Sequence, residues 1–171
     1  MVPSLKQFVP SSTCLSCDGC CRYKEKESSW RPKMMEEEKG KARSSGLAEK
    51  ILAKHFDPQG FITTVPCNGI HFCQFLKPED NTCRIYAGRP FECQLYPFVL
   101  TKQEDALEIC VHGNCPYVQD HRQDPEFQAY VSYLQEFFQR PEVRDFLKRN
   151  PALIGDYAGY REELESLFLI H

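Results

Sequence analysis

No apolar run in the 171-residue sequence approaches the roughly 18 to 20 residues that a transmembrane helix needs. Residues 1–13 contain no continuous apolar segment of the kind found in secretory signal peptides. The formal net charge is -3, so the chain lacks the basic character that neutralising nucleic-acid phosphates requires. We therefore expect a cytoplasmic protein that binds neither membranes nor nucleic acid.

Sequence motifs that mark enzymes are also missing. The chain has no glycine-rich nucleotide loop, no G-x-S-x-G nucleophile turn, no H-E-x-x-H metal motif and no dinucleotide-binding fingerprint. It also lacks the C-x3-C-x2-C motif of radical enzymes that use S-adenosylmethionine. We therefore predict no catalytic residues, and catalysis is disfavoured as the main activity.

Cysteine, in contrast, is abundant, with ten residues in the chain. Four of them stand within eight positions, at Cys14, Cys17, Cys20 and Cys21. Thiols separated by two residues can converge on one metal ion, because the intervening loop turns both sulfurs inward. Cys21 directly follows Cys20, so it indicates a second site, a bridging thiolate or a thiol without metal. The other six cysteines are Cys67, Cys73, Cys83, Cys93, Cys110 and Cys115.

Disulfide bonds are the alternative use for an even number of cysteines. A reducing cytosol keeps thiols available for metal instead. In addition, the neighbouring residues Cys20 and Cys21 could bridge each other only with strain. We therefore interpret the cysteines as metal ligands.

Secondary structure in the first two thirds of the chain is predicted to be short. A helix is expected from Pro32 to Phe56, because proline suits a first turn, with a break at Ser44-Ser45-Gly46. β-Branched and aromatic residues predict strands at 61–65 and 71–76. A hairpin is expected within residues 97–110, turning at Gln103-Glu104-Asp105.

Helical signals dominate the rest of the chain. Asp124-Pro125-Glu126 matches a helix start, and apolar residues from Phe127 to Phe138 recur at helical spacing. Shorter helices are predicted to begin at Pro141 and Pro151, and a last one to cover Tyr160 to Phe168.

The length and the 42% hydrophobic content are sufficient for one compact domain with a core. We predict a single domain over residues 1–171 with an α+β fold. A small, irregular, cysteine-rich metal-binding core with short strands and an N-terminal helix would occupy residues 14–116. A set of amphipathic helices would pack together over residues 124–171.

The sequence around the cysteines resembles the YkgJ-type cysteine-cluster family, also called CxxCxxCC, whose members are described as zinc- or iron-chelating domains. The resemblance rests on the C-x-x-C-x-x-C-C run at 14–21, on Cys73-Gln74-Phe75-Leu76, on the continuous segment Cys83–Phe98 and on Cys115-Pro116. One related branch, the flagellin lysine N-methylases, is associated with an iron-sulfur cluster. Cys67 and Cys110 lie outside the family pattern. The metal ligands that the resemblance implies are Cys14, Cys17, Cys20, Cys21, Cys73, Cys83, Cys93 and Cys115.

Zinc and iron-sulfur clusters both accept four thiolates, so the number of ligands does not separate them. The run at 14–20 followed by a distant Cys-Pro resembles the way ferredoxins hold a 4Fe-4S cluster. Zinc ribbons usually pair two separate C-x-x-C knuckles. We therefore favour a 4Fe-4S cluster that serves electron transfer, redox sensing or a partner enzyme, with a protein redox partner. A zinc-binding structural or interaction protein and a metal-dependent enzyme related to protein methylases are the alternatives.

Residues beside the cysteines are predicted to bind or tune the cofactor. Arg89 can stabilise an anionic thiolate site and donate to sulfur. Tyr86 and Tyr96 are expected to shield the site from water. His71 and His112 could each replace a thiolate, although a lone histidine more often has a structural role.

Overall fold

The computed structural model describes residues 2–44 and 48–171. It divides into two compact units. We call residue 2 with residues 10–94 the cysteine-rich unit, and residues 3–9 with residues 95–171 the C-terminal unit. The predicted single domain is not tested by this division and remains a prediction. Among the described residues, no helix has both the length and the apolar character needed to cross a membrane.

The cysteine-rich unit contains short helices and very short strands, which confirms the predicted α+β character of the chain. The elements in chain order are α1 (Ser11–Cys14), β1 (Arg22–Tyr23), α2 (Glu36–Ser44), α3 (Glu49–Lys54), β2 (Thr64–Cys67), β3 (Ile70–Cys73), β4 (Leu76–Lys77), β5 (Thr82–Cys83) and α4 (Phe91–Leu95). Strands β1, β2 and β3 form an antiparallel sheet in the order β1-β3-β2, and β4 pairs with β5.

The predicted helix from Pro32 to Phe56 begins later than expected. Its first turn is closed by Glu38, whose carboxylate accepts a hydrogen bond from the Met35 amide at 2.8 Å. The helix therefore starts at Glu36, where the carboxylate caps an otherwise unsatisfied amide. The predicted break at Ser44-Ser45-Gly46 falls mainly on residues 45–47, which lie outside the described part of the chain.

The two predicted strands at 61–65 and 71–76 form a hairpin a few residues away from the expected positions. Strands β2 and β3 are joined by Asn68 and Gly69, both with positive φ, as a two-residue hairpin turn requires. The core of this unit is built mainly from small groups of apolar residues on different short elements. Its buried members are Tyr23, Met34, Ala42, Leu52, Ile62, Cys73, Phe75, Leu76 and Ile85.

The C-terminal unit combines one three-stranded antiparallel sheet with three helices. The elements are β6 (Phe98–Gln103), β7 (Ala106–His112), α5 (Pro116–His121), α6 (Pro125–Gln139), α7 (Pro141–Arg149) and β8 (Leu164–Ile170). The predicted hairpin is confirmed, since all of β6 pairs with β7 and the chain turns at Glu104. A third strand, β8, completes the order β6-β7-β8.

Apolar periodicity predicted the long helix correctly. In α6 the predicted stripe is buried at Phe127, Tyr130, Leu134, Phe137 and Phe138, and α7 begins at Pro141 as expected. The N-terminal segment packs on this unit through Phe8, whose ring lies 5.0–5.6 Å from the four rings of Phe98, Tyr117, Phe127 and Tyr130. The unit therefore has a continuous aromatic core.

The predicted helix from Tyr160 to Phe168 is wrong. A short 3-10 segment covers Ala158–Glu163, and Leu164–Ile170 forms β8 against β7. Glutamate and leucine at near-helical spacing favoured the helix locally, but the free edge of β7 offers a full ladder of backbone hydrogen bonds. Pairing over long sequence distance therefore overrides the local preference. The helix predicted at Pro151 is a single 3-10 turn, Pro151–Leu153.

Candidate metal centre

Eight of the ten cysteines belong to the cysteine-rich unit, and seven of these have a neighbouring thiol that acts on them electrostatically or on which they act. They lie where short elements begin or end: Cys14 ends α1, Cys73 ends β3 and Cys83 ends β5. No cysteine in the chain takes part in a disulfide, and all ten are described residues. The seven neighbouring thiols are those of Cys14, Cys17, Cys20, Cys21, Cys73, Cys83 and Cys93.

The loop from Cys14 to Cys21 is folded tightly by local hydrogen bonds. The Leu15 amide donates to the Ser11 carbonyl at 2.9 Å, which closes the turn after α1. The Gly19 amide then donates to the Cys17 sulfur at 3.3 Å. A β-carbon at position 19 would also lie 3.3 Å from that sulfur, so a side chain there would crowd it. The loop thus directs a backbone donor at a thiol.

The pairing of β1 with β3 brings Cys21, at the end of the first cysteine run, next to Cys73. The Cys73 amide donates to the Cys21 carbonyl at 2.9 Å, and the next pair in the ladder is Arg22 opposite Phe72. Residues that face each other across an antiparallel ladder carry their side chains on the same face. Cys21 and Cys73 are therefore neighbours, although 51 positions separate them in the sequence.

Cys20 and Cys21 share a hydrogen bond between their thiols. This hydrogen bond raises the pKa of Cys20 well above its ordinary value and lowers the pKa of Cys21. The proton therefore stays on Cys20, and Cys21 is favoured as the thiolate. Because the thiolate is the form that binds metal, Cys21 is the thiol of the pair best prepared for ligation.

Most other thiols of the cluster are held in the protonated form when no metal is bound. Burial, together with the charge of Cys21, raises the pKa of Cys73 to about 12 and raises that of Cys93 well above its usual range. Burial also raises the pKa of Cys14 and of Cys83. Metal binding at these thiols must therefore release protons.

Arg89 and Tyr86 stand beside the cluster, where sequence analysis expected cofactor contacts. The Arg89 guanidinium lies over the Tyr86 ring at 4.0 Å and donates to the Tyr86 carbonyl at 2.7 Å. The Tyr86 side chain is hydrogen-bonded to the Cys14 thiol, and the charge of Arg89 acts on Cys14 and Cys83. Both residues are placed to stabilise thiolates.

Two further neighbours were missed by sequence analysis. Tyr23 is buried, and burial followed by the charges of Cys73, Cys21, Cys93 and Cys20 raises its pKa. Arg22 lies over the Phe72 ring at 5.0 Å and donates one guanidinium nitrogen to Asn81. Alternation along β1 after the cysteine run could have indicated Tyr23, since Cys21 and Tyr23 fall on one face.

The surroundings of Arg22 indicate whether the site suits a negatively charged metal–thiolate group. Within residues 2–44 and 48–171, its Nη1 atom is buried and has no hydrogen-bond acceptor. A buried guanidinium nitrogen without an acceptor is costly, and the charge of Arg22 already lowers the pKa of Cys21 after the larger effect of Cys20. Soft thiolate donors with cations close by fit zinc or an iron-sulfur cluster. Among those residues, however, no three His, Cys, Asp or Glu side chains stand in a geometry that could hold a metal ion.

A family model named CxxCxxCC, described as a putative zinc- or iron-chelating domain, matches residues 13–124. The chain belongs to this family. The match covers well over half of the chain and includes all ten cysteines, so the predicted family is confirmed and metal chelation by the cysteine cluster is supported. Neither the search of curated proteins nor the search of solved structures finds a match.

The eighth cysteine of the CxxCxxCC pattern, Cys115, belongs to the C-terminal unit. It is buried directly before α5, and its amide donates to the His112 carbonyl at 3.2 Å. Its role as a ligand remains a prediction. Tyr96 belongs to the same unit and contacts His112 through its hydroxyl at 2.9 Å from Nδ1. The other ring nitrogen of His112 lies 3.1 Å from the Glu163 carboxylate, so both nitrogens of this histidine are occupied.

The two cysteines outside the CxxCxxCC pattern have different surroundings. Cys110 is completely buried in β7, and burial and Glu108 raise its pKa to about 12. The Arg161 guanidinium lies 3.9 Å from its sulfur. Cys67 ends β2 and faces Ile70, so alternation along the strand places it on the face opposite Cys73. Neither residue is among the seven interacting thiols.

Proposed function

We propose that this CxxCxxCC protein carries a 4Fe-4S cluster on thiols of its cysteine-rich unit. The cluster would serve electron transfer, redox sensing or a partner enzyme, in a reducing compartment such as the cytosol. The observation that carries the proposal is that the pairing of β1 with β3 brings Cys21 beside Cys73, in a unit that contains five more thiols of the family pattern. A family match to a zinc- or iron-chelating domain supports the same chemistry.

Iron is favoured over zinc by two features. The C-x-x-C-x-x-C spacing of Cys14, Cys17 and Cys20 is the arrangement that curls around a cubane. Arg22 and Arg89 supply positive charge at the cluster, which would stabilise the reduced, more negative form. When bound, the cluster would supply one-electron redox chemistry, while the chain binds it, shields it and sets its potential.

The residues around the thiols have separate tasks in this proposal. Tyr86 hydrogen-bonds to the Cys14 thiol and covers one side of the site. Tyr23 is buried, the charges of Cys73, Cys21, Cys93 and Cys20 act on it, and it would exclude water from these thiols. The Gly19 amide donates to the Cys17 sulfur and stabilises its negative charge.

The test is anaerobic purification followed by iron, zinc and acid-labile sulfide analysis. We expect a brown protein that contains sulfide and bleaches on reduction. A colourless protein that keeps stoichiometric zinc after the same preparation, and that cannot be reconstituted with iron and sulfide, would contradict the proposal.

A zinc-binding structural role is the second candidate, and one observation favours it. Strands β1, β4 and β5 of the cysteine-rich unit are two residues long, so this unit has little regular structure to hold it together. Structural zinc stabilises small units of this kind by joining distant segments. The metal and sulfide analysis separates the two candidates directly.

A further inference from the structure

Among residues 2–44 and 48–171, His71 is the one histidine with a buried ring nitrogen, Nδ1, that has no hydrogen-bond partner. Both ring nitrogens of His112, in contrast, have partners, the Tyr96 hydroxyl at 2.9 Å and the Glu163 carboxylate at 3.1 Å. A buried polar atom without a partner is costly, and native proteins keep few of them. A structural role therefore accounts for His112 but leaves the Nδ1 atom of His71 unexplained.

The pairing of β1 with β3 determines which face of this sheet carries His71. His71 lies opposite Tyr23 in the ladder. Two positions further along, the Cys73 amide donates to the Cys21 carbonyl at 2.9 Å. Side chains two residues apart on a strand share a face, and so do side chains that lie opposite each other across the ladder. His71 is therefore on the same face as Cys73, Cys21 and Tyr23.

The two faces of β3 have different surroundings. Tyr23, directly opposite His71, is buried on the first face. The thiols whose charges act on Tyr23 are those of Cys73, Cys21, Cys93 and Cys20. On the other face Phe72 stands opposite Arg22, whose guanidinium lies over the Phe72 ring at 5.0 Å. His71 therefore projects from the face of the sheet that carries the thiols.

Cys73 offers the sulfur that His71 can reach along the strand. A strand rises about 3.3 Å per residue, so Cα atoms two residues apart are separated by roughly 6.6 Å. An imidazole and a sulfur that project from the same face at this separation can approach within hydrogen-bond distance. A thiolate carries negative charge, which makes it a good acceptor for an N–H donor. The Cys73 thiolate could thus satisfy the buried Nδ1 atom.

A hydrogen bond to sulfur demands less of His71 than ligation would. A ligand nitrogen must converge with other ligand atoms on one point. In the described parts of the chain, no three His, Cys, Asp or Glu side chains converge in this way. A donor needs only one sulfur within reach of its N–H group. The location of His71 therefore fits a donor to a metal-bound thiolate better than it fits a ligand.

We infer that His71 donates its Nδ1–H to the Cys73 sulfur when this thiolate binds metal, and that it thereby tunes the metal–sulfur bond. The inference rests on the proposed function only in that Cys73 binds metal, whether zinc or an iron-sulfur cluster. An N–H donor withdraws electron density from the sulfur, which weakens its donation to the metal. On an iron-sulfur cluster the same hydrogen bond would raise the reduction potential. His71 thus acts through Cys73 as a positioning residue.

Cobalt(II) reports on such a hydrogen bond, because its thiolate complexes absorb light through sulfur-to-metal charge transfer. The full chain is reduced, stripped of metal and titrated with cobalt(II) without oxygen. We expect the charge-transfer band of His71→Leu at lower energy and with unchanged cobalt content, because a sulfur without the donor gives up an electron more readily. Asparagine places an N–H near the position of Nδ1, so His71→Asn should restore the band. His55→Leu, in the same unit where the His55 ring packs on Phe75, is the matched control and should show no shift.

The possible results separate this inference from the proposed function. An unshifted band in His71→Leu overturns the inference alone, whereas a wild-type protein with no charge-transfer band overturns both, because its thiols then bind no metal.

A second test uses only the wild-type chain and decides the case in which His71→Leu does not fold or loses cobalt. The chain is loaded with cadmium-113 and its histidines are labelled with nitrogen-15. We expect the Nδ1 atom of His71 to carry a proton that couples weakly to cadmium through the hydrogen bond to sulfur. A direct coupling between cadmium and an unprotonated Nδ1 would make His71 a ligand, and no coupling would make it structural. Either of these results overturns the inference.

Discussion

The two units of this chain bury their side chains in different ways. Most of the large side chains that are fully buried among the described residues lie in the C-terminal unit, including Phe98, Phe127, Phe137, Phe138 and Phe146. They sit on two helices and a three-stranded sheet that extend for many residues. The cysteine-rich unit has a smaller core cluster, whose side chains come from many short elements. One unit thus has a core of large aromatic side chains on long elements, and the other has a smaller core on short elements together with most of the cysteines.

This difference indicates what stabilises each unit. Burial of one large apolar side chain contributes roughly 1.5 to 3 kcal/mol, and the C-terminal unit buries more of the largest side chains than the cysteine-rich unit does. Strands of two residues contribute few hydrogen bonds and little apolar burial. We therefore expect the cysteine-rich unit to depend on metal and the C-terminal unit to depend on packing.

Metal removal should have the largest effect on folding, and this effect should be confined to the cysteine-rich unit. Structural metal in small thiolate sites contributes about 10 to 16 kcal/mol of apparent binding free energy, which becomes folding free energy. After chelation, we expect rapid amide exchange and protease cleavage within residues 10–94, with slow exchange retained in α6 and α7. Hydrogen exchange measured by mass spectrometry checks this. Equal protection of both units in the metal-free protein would contradict the comparison.

A core substitution in the C-terminal unit should destabilise that unit and leave metal binding by the cysteine-rich unit unchanged. Phe137 is completely buried on α6 and packs edge-on against Phe138 at 5.2 Å. Phe137→Ala should lower the free energy of unfolding of the C-terminal unit by about 3 to 5 kcal/mol, through lost burial and the cavity that remains. Metal per chain in the folded fraction should be unchanged. Denaturant unfolding and metal analysis measure the two quantities on one sample.

Sequence patterns predicted those features of the fold that depend on local order. The spacing of Phe127 to Phe138 was sufficient for α6, and the apolar runs around Glu104 were sufficient for the β6-β7 hairpin. The strand β8 was missed because its stability comes from β7, more than 50 residues earlier in the chain. A pattern of apolar residues contains no information about such a partner.

In the candidate site, too, local features could be predicted from the sequence and those that depend on distant partners could not. The cysteine spacing and the family resemblance indicated a metal-binding cluster and drew attention to Arg89 and Tyr86, which lie beside it. Tyr23 was missed because it becomes a neighbour only through the pairing of Cys21 with Cys73. The spacing of the cysteines gives no indication that they are divided between two units.

The contributions of Glu92 and Glu108 to the pH dependence of stability should differ in sign. Glu92 in the cysteine-rich unit is buried, and burial raises its pKa from 4.5 to about 8. Its stabilising contribution is therefore complete below about pH 4.5 and is lost as the pH rises toward 8. Relative to Glu92→Gln, which cannot ionise, the wild type should lose at most about 1.4 kcal/mol per pH unit in this range.

Glu108 in the C-terminal unit should show the opposite trend. Burial would raise its pKa, but hydrogen bonds from Ser166 and Arg161 outweigh this and hold the pKa below its usual value. Its contribution is therefore present above the pKa of an unfolded glutamate and is lost as the pH falls through the folded pKa. The free energy of unfolding of Glu108→Gln should therefore be closest to that of the wild type at acidic pH. Amide exchange of each unit from about pH 3 to about pH 8 covers both windows, below 4.5 for Glu108 and above 4.5 for Glu92, and parallel trends would contradict the assignment.

The smallest effect is expected for Cys67→Ser. Cys67 is half-buried at the end of an edge strand, next to the Asn68-Gly69 turn, and faces away from Cys73. Serine differs from cysteine by one atom, so a partly exposed site outside the ligand cluster should change the free energy of unfolding by no more than about 0.5 kcal/mol. Metal content should equal that of the wild type, whereas Cys73→Ser, six residues later on the opposite face, should lose metal. Side-by-side metal analysis and thermal unfolding of the two variants provide the measurement. Equal loss of metal from both would show that the register of β2 and β3 does not separate ligand from non-ligand cysteines.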